Sequence, residues 1–267
     1  MSRCGSLPSG ADIEDGGFTG PNLWKEGNLI RIGTSGWHYD HWVGEVYPEG
    51  LDESDMLAYY RDLFDTVEIN SSFYGMPSEK TLAGWRDSVP NGFIFATKAS
   101  RYITHMKKLR DPDGPVGRFM ERADVLDFRL GPVLFQLPPR WRCNPRRLSD
   151  FLDVLPEGYR YAMEFRDDSW FCDDVYDLLS RCGVAFCIYH LAGRQSPKEV
   201  TADFVYIRLH GPGEAYQGSY SHRDLQGWAG AISEWVRLER DVYCYFDNDQ
   251  RGYAAGDAMR LKNMLEG

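Results

Sequence analysis

Eight short apolar runs recur along this chain, most of them separated by helix-like segments, and each ends in polar residues capable of chemistry. They span 30–34, 66–70, 93–98, 132–137, 161–166, 184–190, 204–210 and 242–247. Strands alternating with helices at this spacing imply right-handed crossovers and a parallel sheet. Eight such units in 267 residues match the size of one (β/α)8 barrel, whose sites lie where the strands end. The fold class expected is therefore α/β, a single eight-stranded parallel barrel.

Residues 1–28 are rich in Gly, Ser, Asp and Pro and lack periodicity, so they read as a flexible N-terminal tail. Residues 29–267 read as the barrel domain, with no linker dividing it. Helix signals fall between the strands. Ser78 stands as N-cap after Pro77, Asn144 as N-cap before Pro145, and Gly183 closes a helix over 172–182. Further helices are expected over 53–64, 116–127, 221–238 and 256–265. The connection 191–203 is too short and polar for a full helix.

Alternate strand residues face opposite sides of a sheet. Val67, Ile69, Phe93, Phe95, Met163, Phe165, Val205, Ile207 and Leu209 share the parity that would meet the helices. The other parity carries Glu68 and Asn70, Ala96 and Lys98, Glu164 and Arg166, and Tyr206, Arg208 and His210. Gln136 follows Leu134, and Asp247 follows Tyr243 and Tyr245, on the same inward side. Buried charges are costly unless paired. These residues crowd at the strand ends, which favours a functional pocket over a self-satisfied polar core.

The chain has 30 basic and 40 acidic residues, net charge −10, which disfavours sequence-independent nucleic-acid binding by the whole surface. No run approaches the roughly 18 apolar residues of a membrane span. The first residues lack the pattern of a secretory signal. The six cysteines form no C-x-x-C pair. A cytoplasmic protein with reduced thiols and no membrane partner is expected.

The stretch Gly33-Thr34-Ser35-Gly36-Trp37-His38-Tyr39, with Trp42, Gly44, Tyr47 and Pro48, resembles the opening of the YecE-like family, domain of unknown function family 72. So do 66–74, Lys98 with Ile103-Thr104-His105, 135–139, Glu164-Phe165-Arg166 with Ser169-Trp170, 206–211, and 245–248. The resemblance runs from about residue 30 to the end and implies a TIM barrel, without implying a reaction. His190 ends the sixth strand where the family pattern more often has an acidic residue.

Lys98, Arg166 and Arg208 end three different strands. Together they can hold an anion, since arginine presents a fork matched to phosphate or carboxylate. Glu68, Glu164 and Asp247 are candidates for acid or base, and His210 for acid. Trp37, Asn70, Tyr74, His105, Gln136, Tyr216 and Asn248 are candidate substrate contacts. Tyr216 lies in a Gly-rich loop able to close over a ligand. Glu68, Glu164, His190, His210 and Asp247 include metal-ligand types, but the neighbouring cations argue against a divalent metal, and no cofactor is expected. The reading favoured is an enzyme performing acid/base chemistry on a small phosphate- or carboxylate-bearing substrate, a hydrolase or isomerase. A second is nucleic-acid binding or phosphodiester processing through the basic loops, with Arg140 and Arg142 tracking phosphates and Trp141 stacking on a base. A third is a non-catalytic ligand-binding protein. Oligomeric state is not legible.

Overall fold

A computed structural model describes residues 29–267. The strands, in chain order, are β1 (Ile30–Thr34), β2 (Thr66–Ile69), β3 (Ile94–Lys98), β4 (Leu130–Gln136), β5 (Tyr161–Glu164), β6 (Ala185–Leu191), β7 (Arg194–Gln195), β8 (Phe204–Leu209) and β9 (Asp241–Phe246). All pair in parallel except β7, a two-residue strand folded back antiparallel on the end of β6. Around the sheet the order is β1-β9-β8-β6-β5-β4-β3-β2. A bridge between Ser35 and Glu68 links the two ends, so the eight parallel strands form a nearly closed barrel. This seam depends on Gly33, where a Cβ would collide with the Thr66 carbonyl oxygen.

The helices are α1 (Met56–Leu63), α2 (Glu79–Ser88), α3 (Asp113–Ala123), α4 (Pro145–Leu152), α5 (Asp173–Arg181), α6 (His222–Arg237) and α7 (Tyr253–Glu266). Capping follows the sequence signals. Ser78 accepts from Thr81 N at 3.1 Å and Asn144 from Arg147 N at 3.0 Å, while Ser221 and Asp224 form a reciprocal capping box. The segment expected as one helix over 116–127 begins earlier and breaks into a 3-10 stretch, Asp124–Arg129, where Asp127 has φ 53°. Between β6 and β8 the chain makes the β7 hairpin instead of a helix.

Two apolar layers result. Outside the barrel, Val67, Ile69, Phe95, Met163, Phe165, Ile207 and Leu209 pack against the helices. Inside it, Ile94, Ala96, Leu134, Ala162, Tyr206 and Tyr245 belong to a separate buried cluster. This inner plug occupies the barrel beneath the charged strand ends and gives them a low-dielectric floor. Among the described residues no helix is long and apolar enough to cross a membrane. Cys143, Cys172, Cys187 and Cys244 are free thiols. The expected tail, 1–28, lies outside the described residues.

Candidate functional site

Arg208 is the hub of the strand-end charges. It is fully buried, on β8, and its guanidinium is divided among three carboxylates. Its Nε lies 3.1 and 3.0 Å from the two oxygens of Glu68, and Nη2 lies 2.8 Å from Oε1. Nη1 donates to Glu164 Oε2 at 3.0 Å, and Nη2 reaches Asp247 Oδ2 at 3.1 Å. Asn70 Oδ1 is a further, longer acceptor at 3.4 Å.

Glu68 is equally well held. Ser35 Oγ donates to Oε1 and Tyr206 OH to Oε2, each at 2.6 Å. Glu164 receives Arg166 Nε on Oε1 and lies 3.8 Å from the Cys187 thiol. Burial pushes its pKa up, but Arg166, Arg208 and the neighbouring cations outweigh that and hold it well below the carboxylate range. Glu164 is thus a permanent anion of the floor.

His210 has a defined tautomer. Its Nε2 faces Arg166 Nη2 at 3.0 Å and Arg208 Nη1 at 3.3 Å, and a guanidinium can only donate. The proton therefore sits on Nδ1, which donates to Asp247 Oδ2 at 2.9 Å. Burial, then the two arginines, depress the imidazole far below its usual pKa. His210 stays neutral, with no Nε2 proton to give.

Asp247 differs from the two glutamates. Its Oδ2 accepts from both Arg208 and His210, while Oδ1 has no hydrogen-bond partner among the described residues, and 14% of the side chain is exposed. Burial raises its pKa against the pull of Arg208 and Lys98. A proton taken up here belongs on Oδ1, because Oδ2 already receives two N–H groups.

Lys98, ending β3, has no carboxylate within 4.0 Å among the described residues; its ammonium lies 4.5 Å over the Phe73 ring. Burial, then Arg208, bring it down to about 8. Phe73 also meets the His105 ring edge-on at 5.0 Å. Burial and Lys98 lower His105 to about 4. Arg166 spends Nε on Glu164 and Nη2 on His210, lies over the Tyr189 ring, and keeps Nη1 without a partner among the described residues.

Tyr216 comes from the Gly-rich loop and lies edge-on to His210 at 5.4 Å. It is half-exposed and has φ 64°. The loop turns at Gly211, φ 118°, where a Cβ would strike the Gln217 carbonyl oxygen. Tyr74 stands exposed beside the mouth, edge-on to Phe73 at 5.1 Å. His105 lies in a π-helical turn, Tyr102–Met106, a form of helix frequent at functional sites.

The remaining candidates surround the cluster. Trp37 is buried edge-on against Trp85 at 4.8 Å and lines a cavity of about 650 Å³ beside the mouth, together with Asn70 and Leu57. Asn248 points its amide at the Gly218 carbonyl and Asp257, each 2.8 Å away, so it pins the Gly-rich loop to α7. Gln136 pairs in register with Glu164 at the end of β4. His190 meets Tyr220 OH at 3.2 Å. Arg140 and Arg142 are exposed, and the part-buried Trp141 packs edge-on against Trp170 at 5.3 Å. Among the described residues no set of three or more His, Cys, Asp or Glu is placed to hold a metal.

Sequence reasoning left Ser35, Phe73, Cys187 and Tyr206 out of the site. Inward parity with Arg208 points to Tyr206, and Ser35 follows Thr34 at the end of β1. For Phe73, placed by a 3-10 turn, no periodicity is available to read.

Fold and site together define a (β/α)8 barrel with a cluster of paired charges at the C-terminal ends of its strands. Residues 31–267 match the family model described as protein of unknown function DUF72, and the chain belongs to that family. It is 32% identical over 146 residues to the UPF0759 protein YecE of Escherichia coli K12, a match covering 54% of this chain and 50% of that protein. The match thus spans about half the length of that relative. The UPF0759 protein YunF of Bacillus subtilis is 24% identical over 278 residues, 89% of this chain and 95% of that one. A DUF72 family protein from Thermotoga maritima superposes with a TM-score of 0.82 at 29% identity, covering 90% of this chain and 100% of that one. A DUF72 family protein from Enterococcus faecalis, 18% identical, shares the fold with a TM-score of 0.76, covering 90% and 96%.

Proposed function

We propose that this protein is an enzyme that binds a small phosphate- or carboxylate-bearing substrate at the barrel mouth and performs acid/base chemistry on it with Asp247. The carrying observation is the uneven pairing of charge. Lys98, Arg166 and Arg208 face Glu68, Glu164 and Asp247, three against three. With Asp247 ionised the group is neutral. With Asp247 protonated it holds one excess positive charge, which an anion satisfies. Binding an anion and protonating Oδ1 therefore reinforce each other, and the bound substrate meets a carboxylic acid rather than a carboxylate.

Roles divide accordingly. Glu68 and Glu164 are anchors for the arginines. His210 fixes Asp247 through Nδ1–H. Arg166 Nη1 and Lys98 supply the open donors, and Tyr216 covers the site from the loop. The basic loops after β3 and β4 are a less favoured reading, since the chain carries a net charge of −10.

The test is a thermal-shift screen against sugar phosphates, nucleotides, small carboxylates and short oligonucleotides. A ligand at 100 times its Kd stabilises by about 2.7 kcal/mol. The expected result is a shift with a small anion that shrinks in Arg166→Met and weakens as pH rises above the usual carboxylate range. A shift only with oligonucleotides, abolished by neutralising Arg140 and Arg142, would overturn the reading.

A further inference from the structure

We infer that Lys98 is a nucleophile that captures a carbonyl-bearing anion, such as a small 2-oxo acid or an aldehyde phosphate, as an imine at the end of β3; this rests on the anionic-substrate reading above. Arg166 and Arg208 have each claimed carboxylates of the mouth, and Lys98 alone of these three cations is left without one among the described residues. A lysine serving only to balance charge would be expected to take one. Its ammonium instead rests 4.5 Å over the Phe73 ring, on an apolar platform that orients it without a hydrogen bond.

The backbone beneath it is fixed. Lys98 O accepts from Ser72 Oγ at 2.7 Å, and Ala99 N donates to Leu134 O at 2.8 Å, tying the strand end to both neighbouring elements. Partial burial and a nearby guanidinium are the circumstances that free a lysine amine near neutral pH. The groups acting on it are Arg208 on β8, Glu164 on β5, Glu68 on β2 and Asp247 just after β9, and Lys98 in turn acts on His105 in the turn after β3. Burial and Arg208 outweigh the carboxylates, so about a tenth of Lys98 is free base at pH 7.

The chemistry balances without an outside oxidant or reductant. The amine lone pair attacks the carbonyl carbon, and a nitrogen-bound proton passes to the carbonyl oxygen, giving a carbinolamine. Asp247 Oδ1–H gives its proton to that hydroxyl. The C–O bond breaks, water leaves, and an iminium cation remains beside the Asp247 carboxylate. The iminium withdraws electrons from the adjacent carbon, so Asp247 can then remove a proton there. Arg166 Nη1 holds the anionic end. The reaction class is proton abstraction, or carbon–carbon cleavage, next to a carbonyl.

The experiment incubates the full chain with glyoxylate, pyruvate or glycolaldehyde phosphate and sodium cyanoborohydride. The reduced adduct is located by intact mass and peptide mapping, with thermal shift measured on the same samples without reductant. The expected result is one stoichiometric adduct, mapped to Lys98. Lys98→Arg, which keeps the charge but cannot form an imine, is expected to retain a thermal shift and lose the adduct at least tenfold. Lys98→Met, checked for folding by circular dichroism, is expected to lose it too. A thermal shift with no adduct, or adducts spread over surface lysines such as Lys80 and Lys262, overturns the imine and leaves the anion site standing. No thermal shift with any of the three probes and no adduct overturns both.

Discussion

The two sides of the barrel mouth handle charge in opposite ways. On the Arg208 side every charge is met: the guanidinium touches Glu68, Glu164 and Asp247, and Glu68 is further held by Ser35 and Tyr206. On the Lys98 side, among the described residues, the amine has an aromatic face but no carboxylate, one arm of Arg166 has no partner, and one oxygen of Asp247 has none. A satisfied buried charge network builds a rigid, costly-to-break floor. An unsatisfied charge at its rim is where the proposed anion would bind. The comparison separates residues whose charges are paired within the fold from residues that the proposed function uses, although both kinds share one residue chemistry.

The largest effect expected from breaking the satisfied side comes from Arg208→Met. It strands Glu68 and Glu164 in the interior and is expected to cost about 3–5 kcal/mol in urea unfolding. A cost below about 1 kcal/mol would show that the two sides do not differ as described. Glu164→Gln comes next, at roughly 2–3 kcal/mol near neutral pH. Because the native pKa of Glu164 is depressed, its stabilisation is full above the unfolded value of about 4.3 and fades as pH falls toward the native value. The gap between wild type and Glu164→Gln should close on acidification.

The unsatisfied side predicts the opposite sign. Lys98→Met is expected to raise stability by roughly 1–3 kcal/mol at pH 7, because it removes a partly buried charge whose amine has fallen from the usual 10.5 to about 8. The native form binds its proton less tightly, so the gain is fullest below pH 8 and disappears as pH rises toward 10.5. Thermal melts across that range check it. The smallest effect belongs to Tyr216→Ala, expected within about 0.5 kcal/mol in stability because the ring is half-exposed on a loop. Its loss should show in anion affinity instead.

Much of the barrel is legible in the sequence because strand parity is a strict period of two. Val67 and Ile69 face the helices, and Ala96, Ala162 and Tyr206 fill the interior, as alternation requires. Lys98, Glu164, Arg208 and Asp247 could be gathered at one end for the same reason. Parity says nothing of division of labour. That Glu68 is saturated while Asp247 has a free oxygen depends on Ser35 and Tyr206, contributed by other strands. That His210 is a neutral positioning group depends on two guanidinium donors meeting the same nitrogen. Loop residues have no such period: the Asn248 amide bonds Asp257 and the Gly218 carbonyl, and Trp141 meets Trp170 edge-on, contacts that strand parity does not reach.

The most direct test is an NMR pH titration of the wild-type protein with 13C-labelled aspartate and glutamate carboxyl groups, assigned with Asp247→Asn and Glu164→Gln. The expected result is Asp247 titrating above the usual aspartate value while Glu164 titrates well below the usual glutamate value. If the two titrate together in the ordinary range, the division of the mouth into a satisfied floor and a reactive rim is wrong.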